Sequence, residues 1–344
     1  MNAVWNNVLS ICTIAVAVSL LVVKNLQENL EGGKTDDLLN VSYDATRELF
    51  TEVNKQFVAK YYAENGKLLS IKQYHGGSSR QARAVIDGLP ADVVTLALYS
   101  DVDALRKQGL VADGWARRLP NDSQPFTSTI VFVVRAGNPK AIRDWPDLVT
   151  PGVTVITPDP KTSGNGKLTV LAAWGSVVQR GGSEQDARDY LKRLFEHVPI
   201  LGAGARESAT TFTQEKEGDV HLTWENEALR EIEDFKGELE IVYPPLSIRA
   251  EPRAAWVDKN VVRRKTQAVA IAYLNYLYSE KAQEIFARFG YRPINATILT
   301  RYRNRFPDLN LFPVTAIARD WDEAQSKFFA ENGVFDAIYK PGNK

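Results

Sequence analysis

The chain predicts an α/β protein of two lobes, and three observations carry that reading. From residue 38 onward, β-branched strand-like runs alternate with stretches of helical spacing, the pattern of a largely parallel sheet flanked by helices. Several strands end in a polar, glycine-bearing loop that opens directly into a helix, and ligands of open α/β sheets gather at that end of the strands. The chain has 344 residues, 44% apolar and 24% charged, which is enough for two such lobes.

An apolar helix is expected ahead of the lobes. Val8 to Val23 is a run of mainly Val, Leu, Ile and Ala, followed by the hydrophilic segment Lys24 to Asp37. Uniform apolarity, with no polar face, marks an export signal or a membrane anchor rather than a core helix. The run is slightly short for a spanning helix, and no Lys or Arg precedes it as in a usual signal. Ala15-Val16-Ala17 has the small-x-small pattern of a cleavage site, but cutting there would split the run. Residues 1–37 are therefore read as a signal peptide or anchor with its linker. The protein is expected in the periplasm, tethered to the membrane if that segment is uncleaved. Cys12 is the sole cysteine, which excludes a disulfide scaffold, and Ile11 before it argues against a lipoprotein signal.

Basic and acidic residues balance at 42 each. No basic block or basic-aromatic face stands out, so no nucleic-acid partner is expected.

The first lobe should open with a strand over residues 38–44 and a helix over 45–62. A second strand, 67–73, ends in His75-Gly76-Gly77-Ser78 before a helix over 79–87. Residues 91–98 read as a strand, 102–108 as a helix and 129–134 as a strand. Val153, Val155 and Ile156 form the next strand, which Pro158 and Pro160 end. Thr162-Ser163-Gly164-Asn165-Gly166 then caps a helix in which Leu168, Leu171, Ala172 and Gly175 fall at helical spacing. Such an end offers free backbone N–H groups and the positive pole of the helix dipole, so it attracts anions. A phosphate-binding P-loop is excluded: Lys161 stands where it needs glycine, and Leu168 where it needs Ser or Thr.

A strand over 198–201 leads through Gly202-Ala203-Gly204-Ala205-Arg206 into a helix starting near Glu207. Residues 219–224 form a strand ending on Trp224, whose indole can only donate a hydrogen bond. A helix over 225–235, a strand over 241–248 and a helical region over 261–289 follow, and residues 328–339 close the chain. His75, His197 and His221 are too scattered for a metal set, Glu225 and Glu227 do not form a catalytic pair, and no GxSxG elbow occurs, so the residues argue against an enzyme.

The stretches LLNVSYDATRELF, HGGSSRQARAVIDGLPADVVTLAL, TSTIVFVVRAGNPK, VITPDPKTSGNGK, LAAWG and LTWENEAL, in this order and spacing, resemble the periplasmic sulfate-binding proteins of sulfate/thiosulfate ABC importers from about Leu38 to Tyr339. The resemblance implies the type II periplasmic-binding-protein fold, with a hinge and a ligand cleft between lobes. Lobe I is expected over 38–135 and 248–344, and lobe II over 136–247. It implies a sulfate or thiosulfate ligand, membrane permease subunits as partners, a monomer, and no cofactor, metal or catalysis. It further implies that the dianion is held without a counter-charge in contact. The donors carried over are the Ser78 N–H, the Ser163 hydroxyl, the Gly164 and Asn165 N–H groups, the Ala205 N–H and the Trp224 indole. Asp44, His75 and Arg206 match positions just behind them. Asn165 stands where the family usually has glycine, so its side chain is expected to bear on cleft shape or selectivity. The same fold binding another oxyanion, such as molybdate or phosphate, is the rival left open.

Overall fold

The computed structural model describes residues 36–339; the apolar run 8–23 lies outside them. Among the described residues, no helix is long and apolar enough to cross a membrane.

The first lobe is built on a four-stranded sheet. Strand β1 (Asp36–Tyr43) pairs in parallel with β2 (Leu69–Gly76) and β3 (Val93–Leu96), and β10 (Arg253–Trp256) runs antiparallel to β3, giving the order β10-β3-β1-β2. Helices α1 (Arg47–Asn65), α2 (Ser78–Ile86) and α3 (Tyr99–Lys107) follow these strands in turn. Side chains alternate across the sheet: Leu38 joins Phe50, Val53 and Phe57 on one face, while Leu39 and Val41 join Val94, Leu96, Val102 and Leu105 on the other.

The second sheet is organised around one long strand, β4 (Phe126–Arg135), in the order β12-β9-β4-β7-β5-β6. β7 (Val220–Trp224), β8 (Leu239–Val242), β9 (Ser247–Ala250) and β11 (Arg292–Pro293) all pair antiparallel with β4. β5 (Val155–Pro158) runs parallel to β7 and to the short β6 (Leu201–Gly202), and β12 (Leu311–Phe312) lies parallel to β9. Helices α4 (Gly164–Val178), α5 (Glu184–Glu196), α6 (Ala205–Thr213) and α7 (Glu225–Asp234) surround it.

The expected strand over 241–248 is two strands, β8 and β9, because Pro244 and Pro245 between them have no N–H to donate. The expected helical region 261–289 is three helices, α8 (Asp258–Arg264), α9 (Gln267–Tyr276) and α10 (Glu280–Arg288). Lys265, left-handed at φ 59°, ends the first, and the Ser279 side chain caps the third. Helix α5 was not among the expected elements. Ser183 and Asp186 form a capping box at its start, and Ala187, Tyr190, Leu191, Leu194 and Phe195 bury one face at helical spacing.

The last stretch of chain lies on the second lobe. Phe328 packs edge-on against Trp174 of α4 with centroids 5.0 Å apart, and Phe335 packs on Phe195 of α5 at 5.1 Å.

Candidate anion site between the lobes

Three helix N-termini meet where the lobes touch. The loop from β2 into α2 brings Gly77 against the second lobe: a Cβ placed there would lie 2.4 Å from the Thr162 carbonyl oxygen and 2.9 Å from that of Ala203. Only glycine permits this approach, and the Arg80 N–H donates to the same Thr162 carbonyl at 3.4 Å. At the start of α4, Gly164 faces the first lobe, where an added Cβ would sit 2.5 Å from Ala97 Cβ and 3.2 Å from Ser78 Cβ. At the start of α6, a Cβ on Gly204 would lie 2.3 Å from Asp44 Oδ2. The Thr162 hydroxyl ties the two second-lobe loops together by donating to the Ala203 carbonyl at 2.9 Å.

Ser78, Gly164, Asn165 and Ala205 all lie in the first turns of these helices, where helix geometry leaves the amides without an intrahelical acceptor. All but Gly164 are at most 1% exposed, and Gly164 is buried too. Ser163 caps α4, its Oγ accepting from the Gly166 N–H at 3.5 Å. Trp224, at the end of β7, is fully buried, and its Nε1 has no hydrogen-bond partner. An indole N–H in that position carries a desolvation penalty unless an acceptor meets it. The Tyr43 ring lies 5.6 Å from it, and the Tyr43 hydroxyl is likewise buried and unpartnered.

The Asn165 side chain stays within its own lobe. Its Nδ2 donates to Thr223 Oγ1 at 3.4 Å and its Oδ1 accepts from the Thr169 hydroxyl at 3.2 Å.

Charged groups stand behind this ring. Asp44 Oδ1 accepts from the Ala45 N–H at 3.1 Å, and Oδ2 from the Arg206 N–H at 3.2 Å. Burial pushes its carboxyl above the ordinary range against the pull of those bonds. The Arg206 guanidinium grips Glu48 of α1 at 3.0 and 2.7 Å and approaches Glu227 of α7 at 3.1 Å. It thus joins the lobes, and its charge is already spoken for. Burial pulls Arg206 down, but Glu227 and Glu48 outweigh it and hold the group above its ordinary value. Burial pushes the Glu227 carboxyl up to about 7 despite Arg206 beside it. His75 Nδ1 lies 2.9 Å from Ser42 Oγ and Nε2 2.5 Å from Gln73 Oε1. Burial, then Arg47, lowers its pKa to about 4, which keeps it neutral at physiological pH.

Sequence reasoning did not single out Glu48, Asp101 or Lys167, and it treated Glu227 only as half of a rejected catalytic pair. Asp101 of α3 accepts from both the Ser78 and Ser79 hydroxyls, at 2.6 and 2.8 Å. Lys167, in the first turns of α4, reaches across to Asp101 at 3.4 Å. The available signal was the Gly166-Lys167 pair at the start of the helix.

The geometry, a glycine-lined meeting of helix N-termini with a buried indole donor and no uncompensated cation among these residues, suits an anion met by dipoles. Residues 38–292 match the bacterial extracellular solute-binding protein family. A thiosulfate-binding protein of Pseudomonas aeruginosa is 50% identical over 306 residues, 88% of this chain and 92% of the relative. A sulfate-binding protein of Salmonella typhimurium is 47% identical over 330 residues, 95% of this chain and 97% of the relative. A solved sulfate-binding protein from Mycobacterium tuberculosis superposes with a TM-score of 0.77 at 31% identity, covering 86% of this chain and 99% of the other. The chain belongs to the bacterial extracellular solute-binding proteins, with the two-lobed type II fold. It is a binding component of ABC transport and not an enzyme.

Proposed function

We propose that the protein captures sulfate or thiosulfate between its two lobes and delivers it to the membrane permease subunits of an ABC importer. The observation that carries this reading is the buried, unpartnered Trp224 Nε1 at the junction of three helix N-termini. The ligand contacts are the N–H groups of Ser78, Gly164, Asn165 and Ala205, the Ser163 hydroxyl and the Trp224 indole. Asp44, His75 and Arg206 hold the loops from behind. A buried dianion without donors would be ruinously costly, whereas several fixed donors in a dry site stabilise it. Bringing donors from both lobes together requires closure about a hinge, for which β4 and β9 are the crossing strands. The first lobe takes residues 36–125 with the helices after β10, and the second takes 136–247 together with the closing stretch 311–339. The protein acts as a monomer in the periplasm, carried there, and tethered if uncut, by residues 8–23.

The test is a titration of sulfate and thiosulfate into full-length protein carrying 15N-labelled tryptophan. One indole resonance should move saturably, and the same resonance should be missing from Trp224→Phe. Saturable sulfate binding with every indole resonance unmoved would overturn the site.

A further inference from the structure

Lys167 and Asp101 are the unusual pair in this interface. Their side chains are 6% and 4% exposed, and they belong to different lobes. Lys167 Nζ has two further neighbours, both in the closing stretch: Gln325 Oε1, to which it donates at 3.0 Å, and the Phe329 ring, with Nζ 5.5 Å from the centroid. The remaining bonds of Asp101 are to Ser78 and Ser79, and the Ser78 Oγ in turn accepts from the Ala97 N–H at 2.9 Å. The Ser78 hydroxyl is therefore fully used in holding its own loop, which leaves that residue's N–H as the group it can offer a ligand.

We propose that Asp101 and Lys167 are a positioning pair, a buried latch across the lobes that fixes the Ser78 end of the anion site and sets how long the closed form holds its ligand. The inference rests on the sulfate reading above. Burying two charges is costly, and their attraction repays it only when both are present and well placed. Removing one partner leaves the other uncompensated wherever the lobes are together. Opening separates the pair and lets each charge regain water, so the penalty falls on the closed form alone. A ligand that stabilises the closed form is then lost faster, while its rate of arrival is little changed. Neither side chain touches the anion in this scheme, and their charges cancel, so the pair adds no net charge beside the site.

The experiment is a double-mutant cycle on the full-length protein, with sulfate on- and off-rates from stopped-flow tryptophan fluorescence and the lobe-to-lobe distance from paired spin labels. Asp101→Asn keeps an acceptor for the serine hydroxyls but strands Lys167; it should speed sulfate release on the order of tenfold or more. Lys167→Met should do the same, with on-rates within about threefold of the parent. The double variant should release sulfate more slowly than Asp101→Asn alone, because no buried charge is left unpaired. In all three, sulfate-free thermal unfolding should match the parent, and in the two single variants the label distance should shift toward the open form. Additive effects in the cycle, or losses that fall on the on-rate or on sulfate-free stability, would overturn the latch. A parent protein that binds no sulfate would instead overturn the functional reading, and the latch with it.

Discussion

Two rings of residues surround the junction of the lobes, and they handle charge in opposite ways. The inner ring, Ser78, Ser163, Gly164, Asn165, Ala205 and Trp224, holds no charged side chain. The outer ring is all charge, yet each of its two cations is paired across the lobes: Arg206 with Glu48 and also with Glu227 of its own lobe, and Lys167 with Asp101. Under the proposed function, this contrast divides the work: the cations hold the loops in place and the dipoles meet the ligand. A free cation in the inner ring would bind many anions, whereas fixed donors select by proton count and shape.

The largest expected effect breaks the outer ring. Arg206→Met takes the nearer cation from the buried Glu227 carboxylate, leaving it Arg230 at 3.5 Å, and should lower unfolding free energy by about 3 kcal/mol. Adding Glu227→Gln should restore a large part of it in chemical denaturation. If the double variant were no more stable than the single, Arg206 would not be acting through its partners.

Next is the approach of the loops. Gly77→Ala sets a methyl against two carbonyl oxygens that belong to the other lobe. It should weaken sulfate binding by about 3 kcal/mol, the upper range for overpacking, while sulfate-free unfolding stays near the parent. A loss seen only in unfolding would place the strain within one lobe.

Smaller losses are expected within the inner ring. Ser163→Ala and Trp224→Phe should each cost about 1.5–3 kcal/mol of sulfate affinity, the range for hydrogen bonds to charged groups, measured by calorimetry. Unchanged affinity in both would remove the inner ring from the account.

The smallest effect is in pH. Lowering of His75 to about 4 means the folded state prefers the neutral ring, so its contribution is present above pH 6.5 and lost as pH falls toward 4. Raising of Glu227 to about 7 works the other way, with a contribution present below about 4.5 and lost as pH rises through 7. The two slopes oppose each other between these limits. His75→Asn should make stability fall more with rising pH than in the parent, and Glu227→Gln should make it rise more. Denaturant melts from pH 4 to 7.5 check both signs.

The inner ring was the more legible of the two in the sequence. A glycine-bearing loop between a strand and a helix, and a strand ending on Trp224, are local signals that hold wherever the lobes sit. The outer ring is long-range: Lys167 and Asp101 are 66 positions apart and Arg206 and Glu48 158 apart, so their pairing exists only after two sheets have formed and met. Unperturbed, a histidine such as His75 titrates near neutral pH. Burial in the fold moves it out of that range and brings Glu227 in, an exchange that spacing along the chain does not reveal. The Asn165 side chain is likewise placed by a tertiary neighbour, Thr223, together with Thr169. Helix α5, by contrast, was locally signalled by its capping box and apolar stripe and went unread.

The central claim is that the anion meets donors only. Sulfate carries no proton near neutral pH, whereas phosphate keeps at least one, which in an all-donor site would face another hydrogen. Calorimetric titration of the full-length protein with sulfate and with phosphate at pH 7 tests this most directly. The account predicts saturable sulfate binding and phosphate weaker by about 10⁴ or more. Phosphate binding of comparable strength would contradict it, and would mean that an acceptor such as Asp44 reaches the ligand.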